Sequence, residues 1–520
     1  LNNTHRNVFN SAGSNPSSPP SGQIWGLTRQ GAGRWDLSRF SGGGSKVIMF
    51  GADPQPTDAV SRAGMVSVSF GAFDVTASST LERNVTIRNK GNTAQAFNIG
   101  FVNVTDTPGV SISLPDGDTV SIPGFGERIV RVRLTATAEQ MRHARDVSLR
   151  PFQFITSTAP ANRVARQFMN EESGYLTLTP TAGGEPSHRL SVQAFPRRAS
   201  NLALGAASVV GGTTQAPSFT GQGFNTGSNT AFVDTATFAN QPPLVDMVSF
   251  AKGFELSYES PAPTANLTPA QRAGDVQFVG ITSDFARRAL PFDPATSNNA
   301  STVLMFAVAA RGQFDTVQSG VGAEYQIDID TSGDNVADRM VRQFAFSNGE
   351  RTTVTTNISL PVMSSVAPFT AGTGTGWFLN AISNVYTNLY NNSVVMIPVS
   401  VSGSATGSMA LTAANSRFNY RVRGLHRGLQ ISQTPWLSYD VARPGIVFQN
   451  TDEPSLVTPV NASGALQNLP FTSFVSNLRD SAARGLLMIY PTNAEGARAQ
   501  SIGITIPEKL FSDGLEPANR

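Results

Sequence analysis

Apolar residues recur at every second position over long stretches of this sequence, and turn-forming residues cut each stretch short. Val66, Val68 and Phe70 alternate with Ser67 and Ser69. Leu81-Glu82-Arg83-Asn84-Val85-Thr86-Ile87-Arg88-Asn89 reads as a second strand, and Phe97, Ile99 and Phe101 mark a third. Val110-Ser111-Ile112-Ser113-Leu114 is a fourth, and Val130, Val132 and Leu134, split by Arg131 and Arg133, mark a later one. Successive side chains of a strand point to opposite faces, so a period of two gathers the apolar set on one face. Asn89-Lys90-Gly91-Asn92, Pro115-Asp116-Gly117-Asp118 and Pro123-Gly124 separate the strands with residues suited to turns. Short alternating strands at this spacing predict a two-sheet sandwich. Strands near 175–178 and 189–195 would close it, giving a domain over residues 62–198.

The remaining sequence continues in the same style. Residues 200–377 open with a stretch rich in Gly, Thr, Ser and Asn and then show strands, among them residues 302–308 and 342–346. Residues 380–520 carry Ser393-Val394-Val395-Met396-Ile397-Pro398-Val399, a nearly continuous apolar run of the kind buried on both faces. No fixed-period repeat is present, and the boundary near 378 is soft. Residues 1–45 read as an extended N-terminal arm. Ser14-Asn15-Pro16-Ser17-Ser18-Pro19-Pro20-Ser21-Gly22 resists helix, and Gly42-Gly43-Gly44-Ser45 is a joint. The expected fold is therefore all-β, tandem β-sandwich domains behind an extended arm. Composition agrees: 14% of the 520 residues are charged, and there are 47 Gly and 32 Pro, which suits a turn-rich extracellular β protein.

Charge and cysteine content narrow the function. The formal net charge is +2 and no basic run exists; Arg128, Arg131 and Arg133 are the nearest approach, with the last two spaced as on a strand. Nucleic-acid binding is not expected. There is no cysteine, so neither a disulfide framework nor a thiolate metal site can form. No stretch of 18 or more apolar residues marks a membrane span. The sequence opens on Leu1 without a signal-peptide pattern, which is expected of a processed or partial chain.

The sharpest local motif is Asp328-Ile329-Asp330-Thr331-Ser332-Gly333-Asp334-Asn335-Val336-Ala337-Asp338. Counted from Asp330, oxygen-bearing side chains fall at positions one, three, five and nine: Asp330, Ser332, Asp334 and Asp338. Val336 stands at position seven, where calcium loops use a backbone carbonyl. Calcium takes six to eight oxygens, and this spacing wraps a loop around one ion. Asn335 stands where Gly is expected at position six, and no Glu stands at position twelve. The alternative is a solvated acidic hairpin turn. The ion, if bound, is structural.

No catalytic set emerges. Thr406-Gly407-Ser408-Met409-Ala410 imitates the subtilisin nucleophile segment Gly-Thr-Ser-Met-Ala, but Thr precedes Gly407 and Leu411-Thr412 follows. A serine nucleophile also needs a His base and an orienting carboxylate. The four histidines, His5, His143, His188 and His426, are scattered and read as surface or loop residues, without paired metal-ligand spacing. Trp25, Trp35, Trp377 and Trp436 read as core or docking residues in preference to a sugar-stacking platform.

Two further segments carry a resemblance. Leu1-Asn2-Asn3-Thr4 and Arg29-Gln30-Gly31-Ala32-Gly33-Arg34-Trp35-Asp36 are similar to the last core helix, and the Gln-Gly-Ala-Gly-x-Val-Asp segment after it, of large secreted subtilisin-like serine peptidases. Trp35 replaces a small aliphatic residue there. Downstream, Val66-Ser67-Val68-Ser69-Phe70-Gly71 and Asn84-Val85-Thr86-Ile87-Arg88-Asn89-Lys90-Gly91-Asn92 resemble the fibronectin-like domain that follows the peptidase domain. Gly174-Tyr175-Leu176 and Leu190-Ser191-Val192-Gln193-Ala194-Phe195 resemble its closing strands. Segments at 325–338, 387–392 and 485–488 look like parts of the further β domains in longer members.

The resemblance implies that the first sandwich is fibronectin type III-like and that the family's Asp, His, Asn and Ser catalytic residues all precede the point matching Leu1. None can be assigned here. The implied role is the non-catalytic C-terminal region of a secreted endopeptidase, serving substrate positioning, stability or cell-surface attachment. Its partners would be its own peptidase domain, or other copies of the chain through residues 1–45. A self-assembling extracellular structural protein is the alternative, and a carbohydrate-binding module the second.

Overall fold

The computed structural model describes residues 45–51, 66–144, 169–205, 209–226, 248–283, 303–315, 322–346, 391–401, 411–412, 414–449 and 465–506, with short pieces elsewhere. Two compact units emerge. One comprises Leu1–Asn201, Phe224–Val248 and Asn384–Asn388; the other comprises Leu202–Gly223, Ser249–Ser383 and Leu389–Arg520. Both are built of strands, so the chain is all-β with tandem β-sandwiches, as the alternation predicts. Among the described residues no helix is long and apolar enough to cross a membrane.

The first unit holds strands β1 (Val47–Gly51), β2 (Ser67–Val75), β3 (Ser78–Asn89), β4 (Gln95–Thr105), β5 (Val110–Ser113), β6 (Thr119–Ile122), β7 (Glu127–Thr137), β8 (Glu172–Pro180) and β9 (His188–Arg198). They form a four-stranded sheet, β1-β3-β7-β5, and a five-stranded sheet, β2-β9-β8-β4-β6. The first sheet repeats the A-B-E-D order, and β9-β8-β4 the G-F-C order, of immunoglobulin-type sandwiches. The period-two residues meet between the sheets. Val85 and Ile87 of β3, Val130, Val132 and Leu134 of β7, Phe97 and Ile99 of β4, Leu176 and Leu178 of β8 and Leu190 and Val192 of β9 are all buried. Val66 differs from its expected place: it is 38% exposed, because β2 begins one residue later, at Ser67.

Of the N-terminal segment, residues 4–5, 27 and 34–35 are described. Thr4–His5 and Arg34–Trp35 pair antiparallel, Thr4 opposite Trp35 and His5 opposite Arg34. The two ends of the segment that resembles a peptidase terminus thus satisfy each other's backbone groups.

In the second unit the strands of the two large sheets are β10 (Val209–Val210), β11 (Lys252–Glu259), β12 (Val276–Ser283), β13 (Val303–Phe314), β14 (Ala323–Asp330), β15 (Arg339–Phe346), β16 (Ile358–Ser365), β17 (Asn392–Ser400), β18 (Arg417–His426), β19 (Leu429–Gln433), β20 (Leu437–Asp440), β21 (Gly485–Ile489) and β22 (Ala499–Thr505). A seven-stranded sheet runs β10-β22-β21-β11-β12-β13-β17. A six-stranded sheet runs β16-β15-β14-β18-β19, with β20 also on β18. Strand β13 is buried on both faces. Leu304, Phe306 and Val308 pack with Tyr325, Ile327 and Tyr420 of the six-stranded sheet, where the Phe306 and Tyr420 rings meet edge-on at 5.2 Å. Met305, Ala307 and Ala309 pack with Phe254, Leu256 and Leu487.

The expected boundary near 378 does not separate two sheets. Strand β17 pairs with β13, β18 with β14, and β21 with β11. Residues 200–377 and 380–520 therefore contribute strands to the same two sheets. Local alternation marks strands but carries no information about their partners.

Candidate functional site

The 330–338 loop joins β14 to β15 in the six-stranded sheet. Its sharp course uses Gly333 at φ +85 and Asn335 at φ +62. Asn stands where a calcium loop has Gly, and it adopts the left-handed conformation that Asn tolerates. Asp330 Oδ1 accepts from the Gly333 N–H at 2.6 Å and the Ser332 hydroxyl at 3.0 Å. Its Oδ2 accepts from the Asn335 N–H at 2.8 Å and from Asn419 Nδ2 at 3.2 Å. Burial pushes this carboxyl up, but these donors outweigh it and hold the group below its ordinary value.

The other loop acids turn elsewhere. Asp338 Oδ2 accepts from the Thr331 N–H and hydroxyl and from the Ser332 N–H, at 2.8, 2.9 and 3.0 Å. Asp334 Oδ1 accepts from the Val336 N–H at 2.8 Å, and Val336 is 63% exposed. The loop's shape is thus accounted for by carboxylates capping its own N–H groups. Among the described residues no group of three or more His, Cys, Asp or Glu side chains is arranged to hold a metal. Asp328, at the head of the motif and two residues before Asp330 on β14, binds Arg421 Nε at 2.7 Å and Arg423 Nη2 at 2.6 Å.

A polar set that the sequence reading missed lies in the first sandwich. The Ser45 hydroxyl is 3.0 Å from His188 Nε2 and donates to Glu185 Oε2 at 3.1 Å. The Lys46 N–H donates to both Glu185 oxygens at 3.2 Å. A serine, a histidine and a carboxylate are in contact, but the roles differ from a catalytic triad. There the carboxylate orients the far ring nitrogen, and free N–H groups await an oxyanion. Here Glu185 sits on the serine side of the ring, 3.9 Å from Nε2, and occupies the Lys46 N–H. The set ties the start of β1 to the turn before β9. Glu185 and His188 are three apart in sequence, a readable signal; Ser45, 143 residues from His188, is not.

Two histidines expected at the surface are buried: His143 is 3% exposed and His188 2%. Burial drives His143 down to about 3, against the opposing effect of its hydrogen bond with Asn170. Burial likewise pushes Glu172 up to about 8, although Thr107 donates its N–H to Oε2 at 2.7 Å; Asp106 adds to the rise. The basic positions of β7 are largely neutralised. Arg131 binds Asp116 at 2.6 Å and Arg133 binds Glu82 at 2.7 Å. Ser408, Trp25 and Trp377 lie outside the described residues, as do most of residues 1–44. Trp436 stacks under the Arg421 guanidinium at 4.7 Å.

No protein-family model matches the chain, and no curated protein matches its sequence. Among solved structures, the secreted serine protease VesC from Vibrio cholerae is similar over 71% of this chain and 49% of its own, at 8% identity and a TM-score of 0.18. A putative carbohydrate binding protein from Bacteroides ovatus is similar over 78% of this chain and 96% of its own, at 7% identity and a TM-score of 0.17. A FixG-related protein from Vibrio parahaemolyticus is similar over 29% of this chain and 97% of its own, at 11% identity and a TM-score of 0.16. At such scores these likenesses define no shared fold and assign no activity to this chain.

Proposed function

We propose that this chain is the non-catalytic, extracellular region that follows the peptidase domain of a secreted subtilisin-like serine endopeptidase. Its β-sandwiches position protein substrate, stabilise the enzyme or attach it to a surface. The observation that carries this reading is the sequence likeness of residues 1–36 to the end of such a peptidase domain. Within that segment Thr4–His5 pairs with Arg34–Trp35, which is compatible with the two motifs belonging to one folded piece. The sandwich that follows is read as its fibronectin-like domain. Calcium belongs to the same proposal: Asp330, Ser332, Asp334, the Val336 carbonyl and Asp338 would hold one structural ion, which would offset the crowding of three carboxylates in nine residues.

A fluorophosphonate probe tests the reading. The isolated chain should stay unlabelled and should not hydrolyse casein, while the secreted precursor labels at a serine upstream of Leu1. Labelling inside residues 1–520, at Ser408 above all, overturns it.

A further inference from the structure

Phe125 occupies a position that its residue type disfavours twice. It sits in the turn between β6 and β7, where the Gly126 N–H donates to the Pro123 carbonyl at 3.0 Å. Phe125 is the third residue of this four-residue turn and has φ +53, while Gly124, before it, is not in the left-handed region. That combination is a type II turn, whose third position takes Gly or Asn. Glycine stands on both sides of Phe125 for reasons of space. A Cβ on Gly124 would lie 2.2 Å from the Asn92 carbonyl oxygen, and one on Gly126 would lie 2.6 Å from Pro123 Cγ. The other described non-glycine residues with positive φ are Asn266, Asn335, Asn391 and Arg427. Phe125 is the bulky apolar member, and it is 74% exposed.

The surroundings fix the backbone of this turn. The Phe125 N–H donates to the Gly91 carbonyl at 2.8 Å, and the Asn89 N–H to the Gly126 carbonyl at 2.9 Å. Asn89, 1% exposed, donates its side-chain amide to the carbonyls of Thr93, Ile122 and Pro123. The same end of the sandwich carries Lys46, Lys90 and Arg128, all exposed and in no ion pair among the described residues. The Lys90 N–H donates to the Lys46 carbonyl at 2.7 Å, and Arg128 lies opposite Ile87 on β7. The acids nearby are engaged: Glu127 by Arg88, and Glu185 by Ser45 and Lys46.

A strained outlier held by an over-determined turn is a reason to look for function. We propose that this tip binds the surface of an anionic lipid bilayer, with Phe125 entering the headgroup boundary and Lys46, Lys90 and Arg128 meeting the lipid phosphates. A bilayer interface accepts an exposed aromatic ring at any lateral position and needs no preformed pocket. Unpaired cations beside the ring complement an anionic surface and are screened by salt.

The test is sedimentation of the full chain with vesicles of mixed phosphatidylcholine and phosphatidylglycerol. Binding should exceed that to phosphatidylcholine alone and weaken in high salt. Phe125→Asn, which suits the turn, should lower it about tenfold. Lys46→Gln, Lys90→Gln and Arg128→Gln should each lower it about fivefold. Absence of binding to the mixed vesicles overturns the proposal, and so does binding that Phe125→Asn leaves unchanged. Binding to soluble polyglutamate as strong as to vesicles, and independent of Phe125, would assign the cations to an acidic protein segment instead and also overturn it.

Discussion

Glu255 Oε1 accepts the backbone N–H of Ile446 at 2.9 Å, joining residues 191 apart in sequence. The carboxyl is buried on β11 of the seven-stranded sheet, and burial pushes it up to about 7 from an ordinary 4.5, against the pull of the Ile446 and Gly445 N–H groups. In the unfolded chain it ionises near 4.5, whereas in the fold it keeps its proton until about 7. The second unit should therefore lose stability as pH rises from about 4.5 to 7 and change little beyond, by on the order of 3 kcal/mol. Denaturant midpoints between pH 4.5 and 8 check this, and Glu255→Gln should flatten the slope. Glu255→Ala should cost a further ~1–3 kcal/mol by leaving the N–H groups buried without an acceptor.

The first sandwich should show a different profile. Glu172, raised to about 8, lowers stability as pH rises from 4.5 towards 8. His143, driven down to about 3, stays neutral in the fold while the unfolded chain takes up a proton below 6.5, so stability falls as pH drops from 6.5 to 3. The two slopes oppose each other between 4.5 and 6.5. Glu172→Gln should remove the alkaline limb and leave the acid limb, read from pH-dependent melting.

How far the sequence discloses this molecule depends on the range of the interaction. Val130, Val132 and Leu134 alternate with Arg131 and Arg133, and that local pattern suffices to place β7 and its buried face. The strand at 393–399 is likewise legible from its apolar run. Its partner is not: β17 pairs with β13 through residues such as Ile397 and Phe306, which no local signal connects. The same limit hid the Ser45–His188 contact and led to a boundary near 378. At the 330–338 loop the spacing of oxygens is legible, but the direction each carboxylate takes is set by N–H donors that composition does not reveal.

Gly424 should tolerate no side chain. A Cβ there would lie 2.1 Å from the Gly274 carbonyl oxygen, a backbone atom held within the packed unit. Gly424→Ala should destabilise the second unit by about 1–3 kcal/mol or more, measured by denaturant unfolding. Gly117→Ala, with nothing within 4 Å but φ +102, should be limited to the backbone strain of about 1–2 kcal/mol.

Phe125→Asn should stabilise the first sandwich by up to ~1 kcal/mol, because Asn tolerates the positive φ that Phe does not. A higher melting temperature is the expected result.

Chelation should lower the melting temperature of the second unit, and calcium should restore it, if the proposed ion occupies the 330–338 loop. Asp334→Asn should abolish that response while leaving the fold intact, since Asp334 is exposed and its Oδ1 caps the Val336 N–H. An unchanged melting temperature with chelator removes calcium from the account.

The central claim, a non-catalytic region following a peptidase domain, is tested most directly by mapping peptides of the secreted precursor upstream of Leu1. The account predicts peptides with the His-Gly-Thr-His and Gly-Thr-Ser-Met-Ala segments of a subtilisin-like peptidase, continuous with residues 1–36. A precursor whose sequence upstream of Leu1 contains neither would contradict it.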